Sequence, residues 1–108
     1  MVREITASDL AAWLADATLE PPYLLDVRED WEVALAKIPG SEHIPMHLVP
    51  LRQSELPDDQ PLVIICHHGV RSYQVGIYLS DVGFADVISL RGGVEAWANE
   101  VDTSMAHY

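Results

Sequence analysis

The sequence predicts an α/β domain in three layers, with a central five-stranded parallel sheet covered by helices on both faces. Three observations point to it. Strand-like and helix-like segments alternate along the 108 residues. Neither an internal repeat nor a low-complexity tract interrupts them. The run Leu62-Val63-Ile64-Ile65-Cys66 is apolar without alternation and rich in β-branched residues, the pattern of a strand buried on both sides. Right-handed crossovers between such strands place helices above and below the sheet.

Arg3 to Ile5 opens the chain as a short strand, and Thr6 or Ser8 can cap a helix from about Ala7 to Ala17. That helix carries Leu10, Trp13, Leu14 and Ala17 on one face and is expected to end at Glu20-Pro21-Pro22. Tyr23 to Val27 reads as the second strand and Asp30 to Leu35 as a short helix, followed by a turn at Pro39-Gly40. His43-Ile44-Pro45 is a short extended piece, and Leu48 to Leu56 carries a weak helical turn or two before the turn-rich stretch from Pro57 to Pro61. After the Cys66 strand, Val75, Leu79 and Val82 line a helix that stops at Gly83, with Gly76 permitting close approach to a neighbour. Asp86 to Leu90 is the last strand. Arg91-Gly92-Gly93 turns the chain into a final helix that begins at Val94. Trp13, Trp31 and Trp97 each lie beside apolar partners in helical spacing, so all three are expected in the core or its seams.

The length suits one domain over residues 1–108, with its core at about 3–100 and an irregular tail at 101–108. No stretch approaches the roughly 20 apolar residues of a membrane span, and the first residues lack the features of a secretory signal, so the cytoplasm is the expected location. With 17 acidic against 6 basic residues, the formal charge of −11 argues against nucleic acid or an anionic membrane surface as a partner. Cys66 is the only cysteine, which excludes an internal disulfide and a cysteine-built metal site. A site built on His43, His47, His67 and His68 is also not expected, since Pro45 separates the first pair and adjacent residues point apart. No metal or other cofactor is called for.

Cys66 stands where a buried strand gives way to a loop and a helix, at the end of the sheet where ligands of open α/β folds bind. Four residues, His67-His68-Gly69-Val70, separate it from Arg71. Gly69 permits a tight turn whose N–H groups converge on the sulfur, and the positive end of the following helix favours a charged sulfur. Arg71 closes the loop with a permanent charge suited to an oxyanion. His67 and His68 can add charge or hydrogen bonds in acid, and Ser72 supplies a hydroxyl.

Cys66-His67-His68-Gly69-Val70-Arg71-Ser72 resembles the active-site loop of single-domain rhodanese-like sulfurtransferases. Three further segments resemble marks of that family in the same order: Leu24 to Glu29, Ile38 to Pro45, and Leu90 to Trp97. Lys37 and Ser41 depart from the usual pattern in the second, away from the chemistry. The resemblance implies the rhodanese-like three-layer fold and an enzyme that moves a sulfane sulfur from a small donor such as thiosulfate to a thiophilic acceptor, a small molecule or an acceptor protein. Cyanide serves as acceptor in assays. Carried over, Cys66 is the nucleophile that becomes a persulfide, the amides of His67, His68, Gly69, Val70, Arg71 and Ser72 form the cradle, and Arg71 binds the anionic donor. Asp26 and Arg28 are expected to support the site as a structural pair, and Gly92, Gly93 and Trp97 to be structural.

Two other readings belong to the same fold. A phosphatase or arsenate reductase of this fold would carry one more residue between cysteine and arginine, to wrap a larger oxyanion. A non-catalytic binding or regulatory module would usually lack the cysteine.

Overall fold

A computed structural model describes residues 1–108 and shows the expected α/β architecture. Five parallel strands form one sheet: β1 (Val2–Ile5), β2 (Tyr23–Asp26), β3 (Glu42–His43), β4 (Leu62–Ile65) and β5 (Val87–Leu90), in the order β1-β5-β4-β2-β3. The helices are α1 (Ala7–Ala15), α2 (Asp30–Leu35), α3 (Val49–Arg52, between two 3-10 turns), α4 (Val70–Asp81) and α5 (Gly93–Glu100). β4 is therefore central, in register with β2 through Leu25↔Ile64 and with β5 through Val63↔Ile88.

Strand alternation divides the core in two. Val63 and Ile65 of β4 pack with Leu24, Ile88, Leu90, Ala7, Leu10, Val94 and Trp97 on the side covered by α1 and α5. Leu62, Ile64 and Cys66 face the other way, with Leu25, Val27, Val49, Val75, Leu79 and Val87 under α3 and α4. All four β4 residues are buried, which accounts for their unbroken apolar character. Gly76 brings α4 against β1, where an added Cβ would sit 3.0 Å from Val2 Cγ1.

Four expectations about individual elements need correction. α1 ends at Ala15 rather than Ala17, because Asp16 Oδ1 accepts hydrogen bonds from the amide and hydroxyl of Thr18 and turns the chain out of the helix. Ala17 falls beyond the helix and is exposed, and Leu14, within it, is exposed as well. Val82 is exposed too, since α4 ends at Asp81 and Gly83, at φ +112°, redirects the chain. Trp31 is 61% exposed, whereas Trp13 and Trp97 pack on the core. α2 has the expected bounds, and the position it turns inward belongs to Glu32.

The segment after α5 is irregular, as expected, but it is packed. Met105 joins the α1–α5 core cluster, and Tyr108 reaches the end of the sheet beside the Cys66 loop. No helix is long and apolar enough to cross a membrane.

Candidate active site

β4 delivers Cys66 to the carboxyl end of the sheet's central strand, and the four-residue loop then feeds α4. Gly69 adopts φ +101° as the residue before α4, a conformation that turns its N–H toward the preceding sulfur. That amide donates to Cys66 Sγ at 3.0 Å. The sulfur also lies 3.4 Å from Ser72 Oγ in the first turn of α4. Ser72 in turn shares a 2.7 Å hydrogen bond with Ser89 Oγ, a residue of β5 that is fully buried. Of the loop amides expected around the sulfur, that of Gly69 is the one in hydrogen-bonding contact with it. Val70 and His68 are exposed at the loop's outer side.

The N-terminus of α5 supports this loop from below. The amides of Val94 and Glu95 donate to the carbonyls of Cys66 and His67 at 2.9 and 3.1 Å. Gly93 lies so close beneath that a Cβ would collide with both carbonyl oxygens. The backbone of Cys66 is thus clamped by β4 before it and by α5 below it.

Arg71 closes the loop, but with a partner the sequence reading missed. Its Nη1 and Nη2 donate to Glu32 Oε2 and Oε1, each at 2.7 Å, in a two-point pair. Glu32 is buried on α2 and also accepts from the amide of Glu29 and the hydroxyl of Tyr108. The Arg71 bonds hold its carboxyl down at about 2, against the pull of burial. The same pair raises the Arg71 guanidinium, whose side chain remains one-third exposed. In sequence, Glu32 is one of many carboxylates. The signal that could have distinguished it is its place three residues after Glu29, at the N3 position of the α2 capping box.

Asp26 and Arg28 form the structural pair expected of them. Arg28 Nε and Nη2 donate to Asp26 at 3.0 and 2.7 Å, and both side chains are buried. Arg28 also donates to the carbonyls of Ala36 and Glu32 and to Tyr108 Oη, and His43 Nε2 donates to the Arg28 carbonyl. Burial pulls the guanidinium down, but the bonds from Asp26 and Tyr108 outweigh it and leave it raised. This pair touches neither the sulfur nor the loop directly.

His67 and His68 do not point apart as adjacent residues commonly do. Their rings stack at 3.9 Å, and the other face of His67 stacks on Tyr108 at 3.8 Å. Burial, followed by the charge of His68, lowers the pKa of His67, so its ring is neutral at physiological pH. Its Nε2 is buried without a hydrogen-bond partner. Trp31 contributes an edge contact to Tyr108 at 5.7 Å, so it stands at the rim of the site and not in the core.

The chain matches the model of the rhodanese-like domain over residues 6–100. It is 46% identical over 98 residues to a protein of Allochromatium vinosum named sulfurtransferase, covering 91% of this chain and 90% of that one. It is 41% identical over 76 residues to the thiosulfate sulfurtransferase GlpE of Pseudomonas fluorescens, covering 68% of each. Its fold superposes on the crystal structure of a rhodanese-like domain protein from Staphylococcus aureus with a TM-score of 0.83 at 33% identity, covering 92% and 94% of the two chains. The relatives' names support a rhodanese-type sulfurtransferase. With the family model spanning residues 6–100 and a relative 46% identical over nine-tenths of each chain, the chain belongs to the rhodanese-like domain family.

Proposed function

We propose that this protein transfers a sulfane sulfur from a thiosulfate-type donor to a thiophilic acceptor through a persulfide on Cys66. The observation that carries the reading is the contact between the Gly69 amide and Cys66 Sγ at the N-terminus of α4. A hydrogen-bond donor and the positive end of a helix both stabilise negative charge on sulfur.

In the first step the Cys66 thiolate attacks the sulfane sulfur of thiosulfate. A Cys–S–S bond forms as the S–SO₃ bond breaks, and sulfite leaves with the electron pair. In the second, the acceptor attacks the outer sulfur, and the Cys66 thiolate leaves with its own pair. With cyanide the product is thiocyanate. Gly69 N–H and Ser72 Oγ flank the sulfur through both steps. Arg71 assists a negatively charged donor with the N–H groups that Glu32 leaves free, so its attraction for an anion is weaker than that of an unpaired arginine.

Intact-mass measurement tests this. After incubation with thiosulfate, the protein gains one sulfur atom, cyanide removes it as thiocyanate, and Cys66→Ser gains none. A parent protein with neither adduct nor thiocyanate would overturn the reading and favour a binding module.

A further inference from the structure

Tyr108 lies in the irregular segment after α5, remote in sequence from every other residue of the site, yet its ring and hydroxyl make separate contacts there. The ring covers His67, the residue directly after the nucleophile, in a near-parallel stack with planes 14° apart. The hydroxyl accepts from Arg28 Nη1 at 2.8 Å and donates to Glu32 Oε1 at 3.0 Å. Glu32 is the residue that grips Arg71. A continuous chain of hydrogen bonds thus runs from Asp26 through Arg28, Tyr108 and Glu32 to Arg71. Tyr108 meets the catalytic loop at its first residue directly and at its last through one carboxylate.

We propose that Tyr108 is a positioning residue for sulfur transfer: it holds the Cys66 loop in its sulfur-binding conformation by stacking on His67 and by orienting Glu32 against Arg71. The reason is geometric. Val94 and Glu95 fix the carbonyls of residues 66 and 67, but the Gly69 amide lies beyond them, at a left-handed glycine whose own torsions are permissive. Securing the ring of His67 on one side of that glycine and the guanidinium of Arg71 on the other removes the freedom that would let the amide swing off the sulfur. The Tyr108 phenol is pushed up, first by burial, so at neutral pH it keeps the proton it donates to Glu32. Tyr108 touches neither the sulfur nor, on this geometry, the donor; it acts through His67 and Glu32.

The proposal rests on the reading of Cys66 as the sulfur carrier, and its test separates the two. Tyr108→Leu removes both contacts, and Tyr108→Phe keeps the stack and loses the hydroxyl. Three quantities are compared with the parent: kcat and KM with thiosulfate and cyanide, the rate of Cys66 alkylation by iodoacetamide, and the His67 titration by NMR. Circular dichroism confirms that each variant is folded. In Tyr108→Leu, kcat falls about tenfold and alkylation of the buried thiol accelerates about tenfold. His67, which also faces His68, Glu32, Glu95 and Arg71, titrates closer to an ordinary histidine. Tyr108→Phe falls between Leu and parent in kcat and alkylation and retains the parent's His67 titration. A folded Tyr108→Leu with the parent's kinetics and alkylation rate overturns the proposal. Should Leu fail to fold, Tyr108→Ala, which also removes both contacts, takes its place with the same expected and overturning results. A parent that transfers no sulfur, with a Leu variant that alkylates faster, sinks the sulfurtransferase reading and upholds the positioning of the loop.

Discussion

Arg71 and Glu32, 39 residues apart in sequence, meet through two parallel hydrogen bonds of 2.7 Å, one from each terminal nitrogen of the guanidinium. The pair joins the start of α4 to the inward face of α2, and so ties the far end of the Cys66 loop to the edge of the sheet that carries β2 and β3. Because the carboxylate is buried and the guanidinium only one-third exposed, breaking this pair costs more than breaking the surface pairs at Arg3 and Arg52.

A double-mutant cycle measures that contribution. Arg71→Ala strands a buried carboxylate and is expected to cost about 3 kcal/mol of stability, while Glu32→Gln costs about 2 kcal/mol. The double variant loses less than their sum, with a coupling of about 1–3 kcal/mol. Urea unfolding of the four proteins gives the coupling directly, and additive losses would count against a cooperative pair. Arg71→Ala also raises KM for thiosulfate more than it lowers kcat, if the free N–H groups of Arg71 attract the donor.

Glu32 also predicts how stability responds to acid. Its carboxyl is held at about 2 in the folded protein, below the ordinary 4.5. In the unfolded chain Glu32 therefore takes up its proton first, and acid favours unfolding. The contribution, of order 3 kcal/mol, is complete above about pH 5 and is lost as pH falls from the unfolded value toward 2. Unfolding free energies between pH 7 and pH 3 should show this loss in the parent and a smaller one in Glu32→Gln. Equal slopes in both would refute the assignment.

Gly93→Ala tests the support beneath Cys66. A Cβ there meets the carbonyl oxygens of Cys66 and His67, which are backbone atoms and cannot swing aside. The variant is expected to lose at least about 3 kcal/mol and most of its sulfur transfer, since relieving the collision moves Cys66 itself. Gly40→Ala, at a similar positive φ but with open space around its Cβ, should cost only about 1 kcal/mol and leave transfer unchanged. Thermal melts and cyanolysis rates on both variants check the contrast.

Local pattern sufficed for much of this molecule. The β-branched run from Leu62, the glycine at 69 and the arginine at 71 are all set within ten residues of chain, and they suffice to place Cys66 at the end of a buried strand. The same holds for α2, expected over Asp30 to Leu35, whose N-terminus the structure finds closed by a capping box between Glu29 and Glu32. The ends of α1 and α4 were set by local turns, at Asp16–Thr18 and Gly83, and on α2 a burial partner was involved. Trp31 has the composition of a core residue and Glu32 that of a surface one, yet they occupy the opposite places. Hydrophobic spacing assigns a helix its inner face by apolarity, and on α2 the inner face is chosen by a charge that must meet Arg71.

From sequence alone, then, came the α/β class, the order of its elements and the loop that runs from Cys66 to Arg71, because each depends on residues that are neighbours along the chain. Tertiary structure decided what surrounds that loop: Glu32 on Arg71, Ser89 on Ser72, Gly93 beneath the Cys66 carbonyl and Tyr108 on His67. Those contacts join segments separated by 17 to 41 residues. A hydrogen bond or a ring stack between distant residues leaves no periodic trace in either segment, and only the closing of the sheet brings the partners within reach.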